Sequence, residues 1–150
     1  MFLMLASSAA ALAVVTPIHS TEIAHASNAY TASYKTQSTV RFHEVEARFA
    51  NRASVPVCRW QADMAVNRDV VAQGRPVAAF AKPIHRFAPI SGSHAGGCIA
   101  ARGLIAAEIA RHDSARSAAA VSVARQDRAV LVNELDGIHA LSVKGAVTGG

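Results

Sequence analysis

The ten residues VCRWQADMAV, positions 57–66, decide the fold. Cys58, Trp60, Ala62, Met64 and Val66 fall on one side; Arg59, Gln61, Asp63 and Ala65 fall on the other. Period-two alternation of this kind places one face of a strand on a core and the other in water. Such a strand needs partners, and its neighbours in sequence are the first candidates.

Upstream, Val40–Ala50 (VRFHEVEARFA) fits two patterns. Phe42, Val45 and Phe49 share a helical face, whereas Val45, Ala47 and Phe49 alternate as in a strand. The need for a partner favours the strand. Downstream, Gln73-Gly74-Arg75-Pro76 reads as a turn, after which Val77–Ala81 (VAAFA) returns as a third strand. Pro83 and Pro89 then impose an irregular crossing from Lys82 to Gly97.

At Cys98 the period becomes helical. Cys98, Ala101, Ile105 and Ile109 form a stripe, with Leu104 beside it, in a helix over Cys98–His112. Asp113 is placed to cap a second helix starting at Ser114 (SARSAAAVSVARQD). Arg128–Val143 contains Asp136-Gly137, a strong hairpin signal. Alternatively the second helix continues to Leu135 and Gly137 terminates it. Val130 and Val132 favour the hairpin. The expected fold is α+β: a small antiparallel sheet of three strands plus the C-terminal hairpin, two Ala-rich helices on one face, and one disulfide.

The N-terminus reads as a targeting segment. Phe2–Val15 (FLMLASSAAALAVV) is uncharged and mostly apolar, and Pro17 closes it. It is shorter than the roughly 20 apolar residues a bilayer span requires. Ala24-His25-Ala26 matches the small-residue pattern of a signal-peptidase site. Residues 1–26 are therefore expected to be a signal peptide cut before Ser27, with an uncleaved membrane anchor as the alternative, since no Lys or Arg precedes the apolar run. Ser27–Thr39 (SNAYTASYKTQST) is polar and without periodicity, and reads as a flexible tether. Residues 40–150 would then form a single small domain.

Export gives the two cysteines a meaning. Cys58 and Cys98 in an oxidising compartment are most simply one disulfide. It closes a loop of about 40 residues, for which loop-closure entropy gives about 4 kcal/mol. Cys58 lies on the face with Trp60 and Cys98 on the apolar helical stripe, so both point to one core.

The chain has 15 Lys and Arg against 10 Asp and Glu, a formal charge of +5. Removing residues 1–26 takes away Glu22 and no base, which raises the charge to +6. Only Lys35, Lys82 and Lys144 are lysines; the preference for arginine, with abundant alanine, is what a GC-rich bacterial genome writes. The basic residues are dispersed, which means a solvated surface unless the fold gathers Arg59, Arg68, Arg75 and Arg86 on one face. In that case the partner would be an acidic envelope component or an acidic protein.

Chemistry, if present, belongs in PISGSHAGGC, positions 89–98. Its spacing fits neither a nucleophile elbow nor a phosphate loop. Ser93 is placed to cap the oncoming helix, and Gly96 and Gly97 let the backbone pass close to the sheet. His85, Arg86, Gly96 and Gly97 could form a concavity for a small anion at the helix start. With free thiols, His85, His94 and Cys98 would be the alternative, a metal site or small enzyme, but no short-spaced ligand pair nucleates it. The sequence thus implies no catalytic residue, no cofactor and no resident metal. It points to an exported, non-catalytic binding or structural module, with self-association through an exposed strand edge as a further option.

Overall fold

A computed structural model describes residues 12–47 and 50–147. The described residues form six strands and one helix: β1 (Leu12–His25), β2 (Asn28–Ala47), β3 (Val55–Ala72), β4 (Arg75–Pro76), β5 (Lys82–Arg86), β6 (Ile90–Ala95) and α1 (Cys98–Val147). A single 3₁₀ turn, Ala78–Phe80, separates β4 from β5. The sheet is antiparallel, in the order β1-β2-β3-β4, with β5 and β6 also paired to β3. Three strands with two helices and a C-terminal hairpin is therefore not the architecture.

The central strand is the predicted one, extended. Along β3 burial alternates through Cys58, Trp60, Ala62, Met64, Val66, Arg68 and Val70. Beyond the expected end at Val66 the alternation continues, with the charged Arg68 at an inward position.

The polar segment read as a tether is, from Asn28 onward, part of β2. Ala32, Tyr34, Thr36 and Ser38 alternate inward along β2 and are buried. Two of their hydroxyls are satisfied by acids of α1: Ser38 Oγ donates to Asp113 Oδ2 at 2.7 Å and Tyr34 Oη to Asp127 Oδ2 at 3.1 Å. Period-two burial survives with hydroxyls at the inward positions because a buried polar group costs little once bonded. Of the segment read as a signal peptide, residues 12–25 form β1, and residues 1–11 lie outside the described residues. Ala26 and Ser27 make the β1–β2 turn with φ of 46° and 69°, the left-handed pair of a tight hairpin. Gln73-Gly74 repeats that device between β3 and β4, with φ of 51° and 75°.

The expected third strand, Val77–Ala81, is mostly the 3₁₀ turn, and the expected irregular crossing contains β5 and β6. Both pair only with β3, so each is an edge strand, where proline is tolerated because one N–H row has no partner to lose. Pro83 sits at a register shift opposite Asn67. Trp60 pairs with Gly92 across β3 and β6, and a Cβ on Gly92 would lie 2.8 Å from the indole ring. Glycine there is a space requirement. At Gly96 it is a backbone one, with φ of 102° and the N–H donating to Pro56 O at 2.8 Å.

One helix replaces the predicted helix, second helix and hairpin. Asp113 lies inside α1, where it accepts from Ser38, and Asp136-Gly137 is helical. Each helical glycine costs about 1 kcal/mol relative to alanine. Burial of Leu131 and Leu135 on the inward stripe offsets that cost at the C-terminal end.

The residues group into two compact units. One is built around Ser38–Met64 and Phe87–Ala115, with a core of Val40, Cys58, Trp60, Ala62, Ala101, Ile105 and Ile109. The other is built around Val15–Gln37, Ala65–Arg86 and the later part of α1. Its core holds Ile23, Ala32, Tyr34, Val70, Phe80, Ala124, Leu131 and Leu135. No described helix is long and apolar enough to cross a membrane.

Candidate functional site

In the first unit, Cys58 and Cys98 form the predicted disulfide, with Cα atoms 4.7 Å apart. It ties the inner face of β3 to the first turn of α1, as the two stripes require. Cys98 therefore offers neither a thiolate nucleophile nor a metal ligand. His94, opposite Cys58 on β6, has Nε2 3.1 Å from Glu108 Oε2. Among the described residues no three of His, Cys, Asp and Glu group as metal ligands.

The helix start in that unit already meets an anion. Glu44 Oε2 accepts from the Cys98 N–H at 2.8 Å, and a Cβ on Gly97 would lie 3.2 Å from the same oxygen. An internal carboxylate thus sits at the helix start, where it suits the helix dipole, while the Gly96 N–H of the expected concavity donates to Pro56 O. Ser93, expected to cap, lies on β6 opposite Arg59. The sequence pointed away from Glu44 because the contact spans 54 residues, and cap rules look only a few residues away. His85 and Arg86 belong to β5 in the other unit, paired with Val66 and Ala65.

In the second unit the inner face of the sheet carries a charge cluster. Arg68 is fully buried. Its guanidinium donates through Nη1 to Asp127 Oδ2 at 2.8 Å, through Nη2 to Glu134 Oε2, and through Nε to Phe80 O at 3.0 Å. Lys82 Nζ also bonds Glu134, and Tyr34 shares Asp127. Two cations meet two carboxylates, so the cluster is formally neutral. Burial alone would lower the Arg68 pKa, but its bonds to Asp127 and Glu134 outweigh that and hold it above its ordinary value. Burial likewise pushes Glu134 up, and the bonds from Lys82 and Arg68 override it, leaving its carboxyl below the usual value. Burial, then the charge of Asp127, pushes the Tyr34 phenol well above its ordinary range. Arg68 consequently joins no surface patch with Arg59, Arg75 and Arg86.

The same unit contains a cavity of about 440 Å³ between the β1–β2 turn, the 3₁₀ turn and the end of α1. Tyr30, Val77, Phe80, Leu135 and Ile138 give it an apolar lining, and His25, Asn28, His139 and Ser142 add polar groups. His25 Nε2 lies 2.7 Å from Asp136 Oδ1, and the His25 and His139 rings meet edge to face at 6.0 Å. Sequence reasoning missed this site. In sequence, His25 falls in the expected cleavage motif and His139 within the expected C-terminal hairpin, so nothing brings the two together.

No protein-family model, curated protein or solved structure matches this chain.

Proposed function

We propose that this chain is an exported, non-catalytic binding module of the bacterial periplasm or cell exterior, and that it keeps β1. The observation that carries the reading is the Cys58–Cys98 bridge, which leaves no free cysteine. Such bonds persist in oxidising compartments and are rare where thiols are kept reduced. Support for a binding rather than a catalytic role comes from the side chains best suited to chemistry. Cys98 is bridged, His94 is held by Glu108, His25 by Asp136, and Arg68 by two acids.

Packing supports retention of β1. A cut after Ala26 would remove Ile23 from the core, the Thr16 carbonyl that accepts from Thr36, and the His25–Asp136 pair. The test is to express the full chain in a bacterial host, block thiols with a maleimide before lysis, and fractionate. Unmodified cysteines in a periplasmic or medium fraction are expected. Two alkylated cysteines in the cytoplasmic fraction would overturn the proposal.

A further inference from the structure

The cavity of the second unit has walls that specify a kind of ligand. None of the described residues lining it is Lys, Arg, Asp or Glu, so the wall offers a charged group no permanently charged counter-ion. Its volume, about 440 Å³, lies within the range of small-molecule sites. Tyr30, Phe80 and the two imidazoles present aromatic surface, which favours a flat ring through offset or edge contacts.

The polar groups on the wall are of both kinds. His25 Nε2 is engaged by Asp136 Oδ1 at 2.7 Å, which leaves Nδ1 as the other polar atom of that ring. Asn28 accepts from Gln73 through Oδ1, leaving its amide N–H groups as donors. A hydroxyl, which both donates and accepts, can pair with a ring nitrogen and an amide at one site.

We infer that this cavity binds a small, neutral, hydroxylated aromatic molecule, its ring against Tyr30, Phe80, Leu135 and Ile138 and its hydroxyl between His25 and Asn28. This deepens the proposed binding role by naming a ligand class, and it requires β1 because His25 ends that strand. It does not require export, so its test is separate from that of localisation.

The experiment titrates the oxidised full chain with 2-naphthol by calorimetry, with naphthalene as the comparison lacking the hydroxyl. The expected result is saturable one-to-one binding of 2-naphthol, several-fold tighter than naphthalene. Ala72→Phe, which places a ring in the cavity, should weaken binding at least tenfold without lowering Tm. Should that variant not fold, Ile138→Glu at a position 47% exposed on α1 serves instead, with the same expected loss. Absence of saturable binding, or binding unchanged by the variant that folds, would overturn the inference. Equal affinity for naphthalene would overturn the assigned hydroxyl contacts.

Discussion

Arg68→Met is the perturbation that most severely tests the second unit. The side chain is fully buried and makes three bonds, to Asp127, Glu134 and the Phe80 carbonyl. Methionine keeps most of the volume and removes all three. Glu134 is partly exposed and retains Lys82, so it contributes little to the loss. Asp127 is only 8% exposed and is left with Tyr34 alone. Removing one partner of a buried pair costs about 3–5 kcal/mol, against a total stability of about 5–15 kcal/mol. For a chain of this size that is a fall of roughly 6–20 °C in Tm. The assay is thermal and urea unfolding followed by far-ultraviolet circular dichroism. Lys82→Met is the control: Lys82 is 46% exposed, and an exposed pair is worth about 0–1 kcal/mol. The gap between Arg68→Met and wild type should narrow on acidification, because protonation neutralises the stranded carboxylate of the variant. A loss below about 1 kcal/mol, equal to that of the control, would mean that Arg68 is a hydrated surface residue.

Three further outcomes follow from the same contacts. Gly137→Ala should stabilise by about 1 kcal/mol, because Gly137 is helical and a Cβ there meets nothing within 4 Å; a loss of stability would restore the Asp136-Gly137 hairpin. Gly92→Val should cost about 1–3 kcal/mol through collision with Trp60 and alter tryptophan fluorescence, and a neutral result would contradict the Trp60–Gly92 pairing. Glu134 has a depressed folded-state pKa, so its contribution is present above its ordinary value of 4.5 and is lost as pH falls through the folded value. Urea midpoints should therefore fall between pH values above and below that window, and less steeply in Lys82→Ala; an identical acid slope in both proteins would refute the pairing.

What the sequence made legible was set by apolar periodicity and short-range rules. The strand at 57–66, the bridge, the stripe Cys98–Ala101–Ile105–Ile109 and the Gln73-Gly74 turn all obey such rules, and each is present. The failures share a different cause. β2 was hidden because Tyr34, Thr36 and Ser38 face inward as polar residues, and acids that bond two of them lie in a helix about 75–93 residues away in sequence. Arg68 hid the second half of β3 for the same reason. In α1, Asp113 and Asp136-Gly137 resembled a cap and a turn, yet Asp113 is bonded to Ser38 and Asp136 to His25. Local punctuation lost to tertiary contacts, as it does where packing outweighs propensity. The cavity could not be read from sequence because its walls come from four separated segments whose proximity depends on β1 and β2 being strands.

The most direct test of the account is the intact mass of the protein recovered from the exported fraction, before and after reduction. The account predicts a chain that still contains Pro17 to Ala26 and gains about 2 Da on reduction, the two hydrogens added when the Cys58–Cys98 bond opens. A chain beginning at Ser27 would contradict the retention of β1 and remove His25 from the proposed ligand site. A mass unchanged by reduction would contradict the bridge on which the proposed compartment rests.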